Sequence, residues 1–567
     1  MTDLPDPAAT TLRDMTLRDM TLRDKAAQLF VLQVHGTGAG TGDPDAAARN
    51  RAMYGVDSAE QLIERHRPGG IVYFRDDPAN ITGPRQVAAL SNGLQRAALA
   101  QPHAVPLTIA VDQEGGTVAR LPPPFTQTPG AMALAAARDP ATATALAHEL
   151  ARATARELRA LGITHNYAPC ADLNTDPANP VIGVRSFGAD PALAAALTAA
   201  QITGHRDGGA TATAKHFPGH GDTAVDSHTG LPVLTRTRAE WERLDLPPFR
   251  AAIAAGAEAV MTGHLAVPAL DPSGDPATLS RPVLTGLLRD RLRFRGLIVT
   301  DALTMAGVRA RHGDERVAVL ALKAGADVLL APPPGAFTAQ LDAVVAAVRS
   351  GELPERRLEE SVRRVLELKR RRGLFTDPYV DESRAEHLLG APEHRAAAQR
   401  AADHAVTLLA DRDRLLPLRP APRTVLVTGW GETTTRALAD QIARRGPAAT
   451  ARPTGADPTG DAAARAADAA RDHDLTIAVT HRAWPPGPRT GPGQAALVKT
   501  LLKALAATGR PLAVLAVGTP YDLAAFPEAR TCLATYSHTP EALRAAAKAL
   551  FGEITPTGRP PVPVPAG

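Results

Sequence analysis

The feature that most constrains the fold is a regular alternation of short apolar runs with longer segments of helical period. The runs are rich in β-branched residues and are continuous, as is typical of parallel strands that are buried on both faces. Each run leads into a polar or Gly/Pro-rich loop and then into a helix-like segment. Eight such units predict a (β/α)8 barrel, with strands at residues 30–34, 70–74, 107–111, 163–169, 210–215, 257–262, 297–300 and 327–331.

The alternation pauses after residue 372 and then begins again. Residues 373–400 open with a polar, turn-rich stretch and are predicted to be a linker. Four further apolar runs, at residues 424–428, 475–480, 512–517 and 531–536, predict an open-sheet α/β sandwich domain over residues 401–567. The predicted fold class is therefore α/β, with a TIM-like barrel at residues 22–372 ahead of that domain. Residues 1–21, which hold most of a short TLRDM repeat, are predicted to be a disordered tail.

Composition excludes several classes of protein. The 567 residues carry 63 Lys and Arg against 59 Asp and Glu, and 4% are aromatic, which argues against nucleic-acid binding. Cys170 and Cys532 match no disulfide or metal spacing, which favours a reducing compartment. No apolar run reaches the ~18 residues of a membrane span, and the acidic N-terminus does not resemble a secretory signal. We expect a cytoplasmic monomer with no nucleic-acid or membrane partner, exported only if translation starts elsewhere.

Polar residues follow five consecutive strands of the predicted barrel. Active sites of (β/α)8 barrels lie at the carboxyl ends of the strands, so these residues are the first candidates for chemistry. A structural core alone would not require hydrogen-bonding, proton-transferring and nucleophilic groups at all of these positions. In chain order they are Asp112, Asp172 with Asn174, Lys215 with His216, His264 and Asp301.

The loop at residues 215–230 is the densest in such groups, and a metal site is one interpretation of it. His216 and His220 are four residues apart and would share one face of a helix. The intervening Phe217-Pro218-Gly219 would break that helix, so the sequence favours a site without metal or cofactor. His220 is as consistent with a structural hydrogen bonder that anchors the loop.

Two groups in this set are suited to proton transfer and nucleophilic attack. Asp226 and His228 are two apart, so an extended loop projects them the same way, and the carboxylate would orient the imidazole as a general acid. Asp301 ends an apolar strand, where it is either a nucleophile or a hydroxyl-binding group. The alternative for Asp301 is an N-cap of the helix predicted from Ala302 onward.

Several long strings resemble glycoside hydrolase family 3, and more narrowly its bacterial β-N-acetylglucosaminidase branch. They include KHFPGHGDTAVDSHTGLPV from Lys215, preceded by DQEGG from Asp112 and followed by TDALTM from Thr300. NPVIGVRSFG, PATLS and VTLLADRDRLLPL also resemble this family, as does the ATYSHTPEALRAAAKALFGEITPTGRPPV tail. The similarity covers nearly the whole chain from about Leu22 to Pro561.

The resemblance implies a retaining exo-β-N-acetylglucosaminidase that releases terminal non-reducing β-GlcNAc from muropeptides, in peptidoglycan recycling, or from chitooligosaccharides. In that branch Asp301 corresponds to the nucleophile, which forms a covalent glycosyl-enzyme, and His228 with Asp226 to the acid/base dyad. The sugar-binding positions that carry over are Asp112, Arg120, Arg185, Lys215 and His216. The glycines near His228 further suggest a loop that closes on the substrate.

Other activities stay open at this point. A His donor repels phosphate less than a carboxylate would, so a β-N-acetylglucosaminide phosphorylase is one alternative. A family 3 β-glucosidase and a catalytically silent sugar-binding homologue are others. Thr117 departs from many relatives, which have Arg in the DQEGGR string. Gly429-Trp430-Gly431 is similar to a dinucleotide-binding turn, although Thr434 stands where the third glycine would be.

Overall fold

A computed structural model describes residues 17–75, 80–484 and 491–565. Its first part is a parallel eight-stranded sheet with strand order β7-β6-β5-β4-β3-β2-β1-β8. A bridge between Val299 and Val328 joins the two ends, so the sheet closes into the predicted barrel. The strands are β1 Phe30–Gln33, β2 Gly70–Tyr73, β3 Thr108–Val111, β4 His165–Asn166, β5 Thr211–Phe217, β6 Ala259–Thr262, β7 Leu297–Thr300 and β8 Leu329–Leu330.

Helices surround the barrel, and three of them begin at an Asp-Pro pair, which is a recognisable helix start in the sequence. Asp43, Asp139 and Asp190 accept hydrogen bonds from the first backbone N–H groups, and each is followed by a proline at the first helical position. The helices are Leu22–Ala27, Pro44–Tyr54, Ala59–His66, Pro84–Leu99, Ala131–Ala135, Pro140–Ala160, Pro191–Asp207, Arg238–Arg243, Leu246–Ala254, Ala306–Arg309, Asp314–Ala324, Phe337–Arg349 and Glu355–Arg371, with a π-helix at Pro282–Arg291 and 3-10 turns at Gly183–Arg185 and Ala277–Leu279.

Two strands are shorter than the sequence predicts by three residues or more, and one extends beyond its predicted end. The run at residues 163–169 yields only His165–Asn166, because Pro169 has no N–H to continue the ladder. The run at 327–331 yields Leu329–Leu330, since the N–H groups of Asp327 and Val328 both donate to Ile298 O, which interrupts the regular ladder. β5 extends to Phe217, which places His216 as well as Lys215 within the strand.

The second part is a mixed six-stranded sheet with order β11-β10-β12-β13-β14-β9. Four strands match the predicted runs. Edge strands β9 and β11 are additional, since both are half-exposed and lack a continuous apolar signal. The strands are β9 Thr407–Asp411, β10 Thr424–Gly429, β11 Ala448–Pro453, β12 Leu475–Thr480, β13 Leu512–Ala516 and β14 Thr531–Ala534. The helices are Ala385–Leu388, Pro392–Ala405, Glu432–Ala443, Gly460–Ala470, Gly493–Ala506 and Pro540–Leu550, with a 3-10 turn at Pro520–Ala525.

The two parts are joined by a long helix and by the proline-rich tail. The helix Pro392–Ala405 packs its alanines on a core cluster shared with the barrel helix Pro140–Ala160. In the tail, Pro561 accepts the N–H of Ala189 at 2.9 Å, and Val562 is buried. These contacts fix the loop after β4, which carries part of the site described below.

The predicted N-terminal tail and the predicted linker both contain ordered structure. Leu17 and Met20 are buried on the barrel, although residues 1–21 are predicted to be a tail, and residues 1–16 lie outside the described residues. Part of the predicted linker, residues 373–400, is helical, at Ala385–Leu388 and from Pro392 onward. The domain limits themselves stay a prediction. Within the described ranges, no helix is long and apolar enough to cross a bilayer.

Candidate active site

Asp301 stands directly after β7, at the face where the carboxyl ends of the barrel strands meet. Its Oδ1 accepts the N–H of Ala302 at 2.7 Å, and its side chain is 17% exposed. The next helix begins at Ala306 with Met305 in the capping position. The N-cap alternative for Asp301 is therefore wrong, because four residues separate the carboxylate from the helix that it would cap.

The surroundings of Asp301 favour its ionised form. Burial raises the pKa of this carboxyl, but the charges of His216 and His264 and the N–H of Ala302 outweigh burial and lower it below its ordinary value. His216 Nε2 lies 4.0 Å from Asp301 Oδ2. An ionised carboxylate that is partly open to solvent can attack an electrophilic carbon.

His216 is held by Asp172, a buried residue after β4. His216 Nδ1 lies 2.7 Å from Asp172 Oδ2, and Asp172 also accepts the backbone N–H groups of His216 and His220. Burial raises the pKa of Asp172, but the charge and hydrogen bond of His216 reduce it to about 2. Because the carboxylate can only accept, Nδ1 of His216 must donate, and Nε2 is left facing Asp301.

Lys215 lies at the centre of a buried ion cluster next to His216. Its Nζ is 2.7 Å from Asp112 Oδ1 and 2.6 Å from Glu114 Oε1, and its side chain is 2% exposed. Glu114 in turn accepts two hydrogen bonds from Arg185, at 2.8 and 2.9 Å. Burial raises the pKa of Glu114, but the charges of Arg185 and Lys215 hold it well below its ordinary value. The structure therefore brings Asp112, Lys215 and Arg185 together as one rigid group.

Glu114 is the member of this cluster that our sequence reasoning missed. It stands within the DQEGG string, of which only Asp112 is assigned a role from the sequence. The two glycines fold this loop tightly: Gly115 has φ +90°, and a Cβ there would lie 2.1 Å from Thr128 Oγ1. That turn aims Glu114 at two cations, and an acidic residue beside paired glycines at a strand end is the signal that would have indicated it.

We expect Glu114→Gln to destabilise the barrel strongly. Removal of this charge leaves Lys215 with one carboxylate and leaves Arg185 without an ion-pair partner in a buried site, which typically costs about 3–5 kcal/mol. The measurement is urea unfolding followed by circular dichroism. Glu149→Gln is the control, since Glu149 pairs with Arg400 while 41% exposed and should cost below about 1 kcal/mol. Equal losses in the two variants would contradict the central position of Glu114.

Arg120 lies apart from the ion cluster. Its backbone N–H donates to Gln113 Oε1 at 2.8 Å, and its guanidinium lies over the ring of Phe74 at 5.8 Å. Its buried Nε has no hydrogen-bond partner among the described residues. Among the described residues, the structure therefore does not bring Arg120 into the group around Lys215.

Asp226 and His228 pair with each other on an exposed loop. His228 Nδ1 lies 2.7 Å from Asp226 Oδ1, and the His228 side chain is 60% exposed. Burial raises the pKa of Asp226, but the hydrogen bonds of His228 lower it overall. Within the described ranges His228 makes no ion pair with Asp301, so the structure forms the dyad but does not bring it to the nucleophile candidate.

The base of this loop is anchored to the barrel. Buried His220 contacts Thr223 Oγ1 through Nδ1 at 2.8 Å and Ser227 Oγ through Nε2 at 3.0 Å. Ser227 O also accepts the N–H of Gly307 at 3.1 Å. A Cβ on Gly307 would lie 2.9 Å from Gly230 O, so only glycine lets the loop lie this close to the segment that follows Asp301. His220 is thus a structural hydrogen bonder here.

A metal would find few free ligand atoms in this site. Nδ1 of His216 and Nδ1 of His220 are engaged by Asp172 and Thr223. Cys170, Asp172 and His216 do place ligand atoms within 4.8 Å of one another. Burial, together with the charge of Asp172, raises the pKa of the Cys170 thiol well above its ordinary value.

Comparison with known proteins decides the family. The sequence model of the glycosyl hydrolase family 3 N terminal domain matches residues 21–368, and that of the family's C-terminal domain matches residues 406–567. The chain belongs to glycosyl hydrolase family 3. The family resemblance seen in the motifs and the two-part α/β fold are both confirmed.

Individual family 3 relatives give a finer comparison. A β-N-acetylglucosaminidase structure from Paenibacillus sp. str. FPU-7 is 37% identical, with a TM-score of 0.86, and the match covers 96% of this chain and 99% of that one. The β-hexosaminidase A of Pseudoalteromonas piscicida is 36% identical over 64% of this chain and 63% of its own length. A β-N-acetylglucosaminidase/β-glucosidase of Cellulomonas fimi is 35% identical over 55% of this chain and 56% of its own length. The chain thus matches less than two thirds of these two curated relatives.

Proposed function

We propose that this family 3 protein is a retaining exo-β-N-acetylglucosaminidase that removes terminal non-reducing β-GlcNAc. The observation that carries the proposal is the pairing of Asp226 with His228 on a loop of the same barrel face that holds Asp301. A family 3 β-N-acetylglucosaminidase and a β-hexosaminidase A among its relatives support the choice of sugar.

In the proposed mechanism Asp301 is the nucleophile. Its carboxylate attacks the anomeric carbon, and the bond to the leaving oxygen breaks, which gives a covalent glycosyl-enzyme. The lowered pKa of Asp301 keeps the attacking oxygen ionised at neutral pH. Oδ1 is engaged by Ala302, so Oδ2, which faces His216, is the atom that we assign to the attack.

His228 is the proposed acid/base. It donates a proton to the leaving oxygen in the first step and accepts one from water in the second, while Asp226 fixes its orientation through Nδ1. The exposure of His228 implies that the tip of the loop turns toward Asp301 when substrate binds. The anchored base, at Ser227 and His220, limits this movement to the tip.

The ion cluster is the proposed binding site for the terminal sugar. Asp112 and Lys215 present charged groups to hydroxyls, and charge-assisted hydrogen bonds of this kind are shorter and stronger than neutral ones. Arg185 and His216 complete one side, and Arg120 the rim. Glu114 pairs with Lys215 and Arg185, and Asp172 hydrogen-bonds to His216. These contacts order the site before the sugar binds.

The finer properties remain part of the proposal. Chitooligosaccharides and muropeptides both present a terminal β-GlcNAc, and peptidoglycan recycling is the role that the second would imply. We propose that the protein acts as a monomer in the cytoplasm, and that catalysis uses side chains alone, without metal or cofactor.

The test of the activity is release of nitrophenol from the β-N-acetylglucosaminide and the β-glucoside side by side. We expect cleavage of the acetamido sugar to exceed cleavage of the glucoside at least about tenfold in kcat/KM, with GlcNAc as product. The reaction is repeated in phosphate buffer, with the product analysed by mass spectrometry. Cleavage of the glucoside alone would contradict the proposed sugar, and GlcNAc-1-phosphate as the main product would replace hydrolysis with phosphorolysis.

A further inference from the structure

A positively charged groove lies at the floor of the barrel, on the face opposite Asp301. It has a volume of about 420 Å³ and runs between the turn into β7 and the helix Glu355–Arg371. Leu297, which begins β7, and Glu258, which precedes β6, lie on its inner wall. These residues are at the amino ends of their strands, so the groove and the candidate active site are separated by the height of the barrel.

Two arginines of this groove have no partner of opposite charge in the part of the chain that the structure describes. Arg293 and Arg295 stand on the turn before β7, and both are exposed. Neither guanidinium makes an ion pair or hydrogen bond with any residue in the described ranges. Phe294, between them, is buried to 2% exposure, which pins the turn so that its two neighbours project outward.

Arginines also outnumber the carboxylates on the wall nearest this turn. Buried Asp327 accepts hydrogen bonds from Arg289 and Arg364 and lies 3.5 Å from Arg357. The single carboxylate of Asp327 therefore interacts with three positively charged guanidinium groups. The pKa of Arg289 is lowered to about 10 by burial and, despite the attraction of Asp327, by repulsion from neighbouring arginines. This is the response expected of a guanidinium in a positive field.

The remaining carboxylates of the groove are already engaged. Glu367 accepts hydrogen bonds from Arg370 at 2.9 Å and from Arg371 at 2.8 Å. Glu258 accepts hydrogen bonds from Arg372 at 2.9 Å and from Thr211 at 3.1 Å. Positive charge in the last turn of the helix Glu355–Arg371 is favourable because it interacts with the helix dipole. The dipole does not explain why Arg293 and Arg295 stand on the opposite side of the groove.

We propose that this groove binds a small anion that carries two or more phosphate groups. Guanidinium forks match phosphate oxygens two bonds at a time, and clustered like charges in a concave site attract an anion that relieves their repulsion. The volume is in the range of small-molecule sites. A single strand of nucleic acid is disfavoured, because the aromatic ring of the lining, Phe294, is buried and offers no face for stacking. The proposal does not depend on the activity assigned to Asp301.

The test is calorimetric titration of the whole protein with inorganic tripolyphosphate, pyrophosphate and monophosphate. We expect affinity to rise with the number of phosphates and to weaken at higher ionic strength. The double variant Arg293→Gln/Arg295→Gln should bind tripolyphosphate on the order of 100-fold more weakly, since each lost charge-assisted contact is expected to cost about tenfold. The circular dichroism spectrum and the melting temperature should be unchanged, which shows that the variant is folded.

The control removes the same charge elsewhere. Arg465 and Arg544 are exposed on the second sheet domain, and Arg465→Gln/Arg544→Gln should leave tripolyphosphate binding at the wild-type level. Equal weakening in the two double variants would overturn the proposal, because only net charge would then matter. No measurable binding to the wild-type protein at low ionic strength would also overturn it. Tighter binding of a short single-stranded RNA that is lost in the groove variant would replace it with a nucleic-acid site.

Discussion

Asp301→Ala is expected to lower kcat by roughly 10⁴–10⁶-fold on nitrophenyl β-N-acetylglucosaminide, because the variant has no carboxylate to form the glycosyl-enzyme. The fold should survive, since among the described residues the Asp301 side chain accepts a single hydrogen bond, from the N–H of Ala302. The measurement is steady-state kinetics with the melting temperature recorded in parallel.

Azide adds a second criterion for the role of Asp301. In the alanine variant azide can enter the space left by the carboxylate and attack the anomeric carbon directly, and a single displacement yields the α-glycosyl azide. The control is Asp342→Ala, which removes an aspartate that is 57% exposed on the outer helix Phe337–Arg349 and should leave kcat unchanged. Residual activity within tenfold of the wild type, or a β-glycosyl azide as product, would show that Asp301 is not the nucleophile.

His228→Ala is expected to slow cleavage of substrates with poor leaving groups by about 10²–10⁴-fold, because an alkoxide must then depart without a proton. The loss on nitrophenyl glycosides should be much smaller in the glycosylation step, since nitrophenolate departs almost unassisted. The measurement is kcat/KM on chitobiose and on the nitrophenyl glycoside for wild type and variant.

Asp226→Asn provides the matched control for the dyad. It preserves shape while removing the charge that orients His228, so it should show the same dependence on the leaving group with a smaller loss. A structure with a bound GlcNAc-type inhibitor should also show the tip of the loop, with His228, nearer to Asp301 than it lies here. Equal losses of kcat/KM on both substrates, or an unmoved loop with full activity, would contradict the acid role.

The sequence alone predicted the barrel, which the structure confirms, and it supplied most of the candidate site residues. Continuous apolar runs mark strands buried on both faces, and a barrel brings whatever follows each strand to one face, so Asp112, Lys215 and Asp301 could be selected from one-dimensional spacing. The family motifs then assigned roles to Asp226 and His228. Edge strands β9 and β11 escaped this reasoning, because a half-exposed strand has no continuous apolar signal to detect.

Only the tertiary structure decided which side chains of the candidate site hydrogen-bond to one another. Glu114 and Arg185 are 71 residues apart, and Asp172 and His216 are 44 apart, so no local pattern indicates that they bond. The structure likewise decided that Asp301 is not a helix cap, that His228 stands in solvent, and that unpaired arginines gather at the barrel floor. The physical reason is that secondary structure follows from neighbours in the chain, whereas burial and charge pairing depend on distant segments that meet only when the barrel closes.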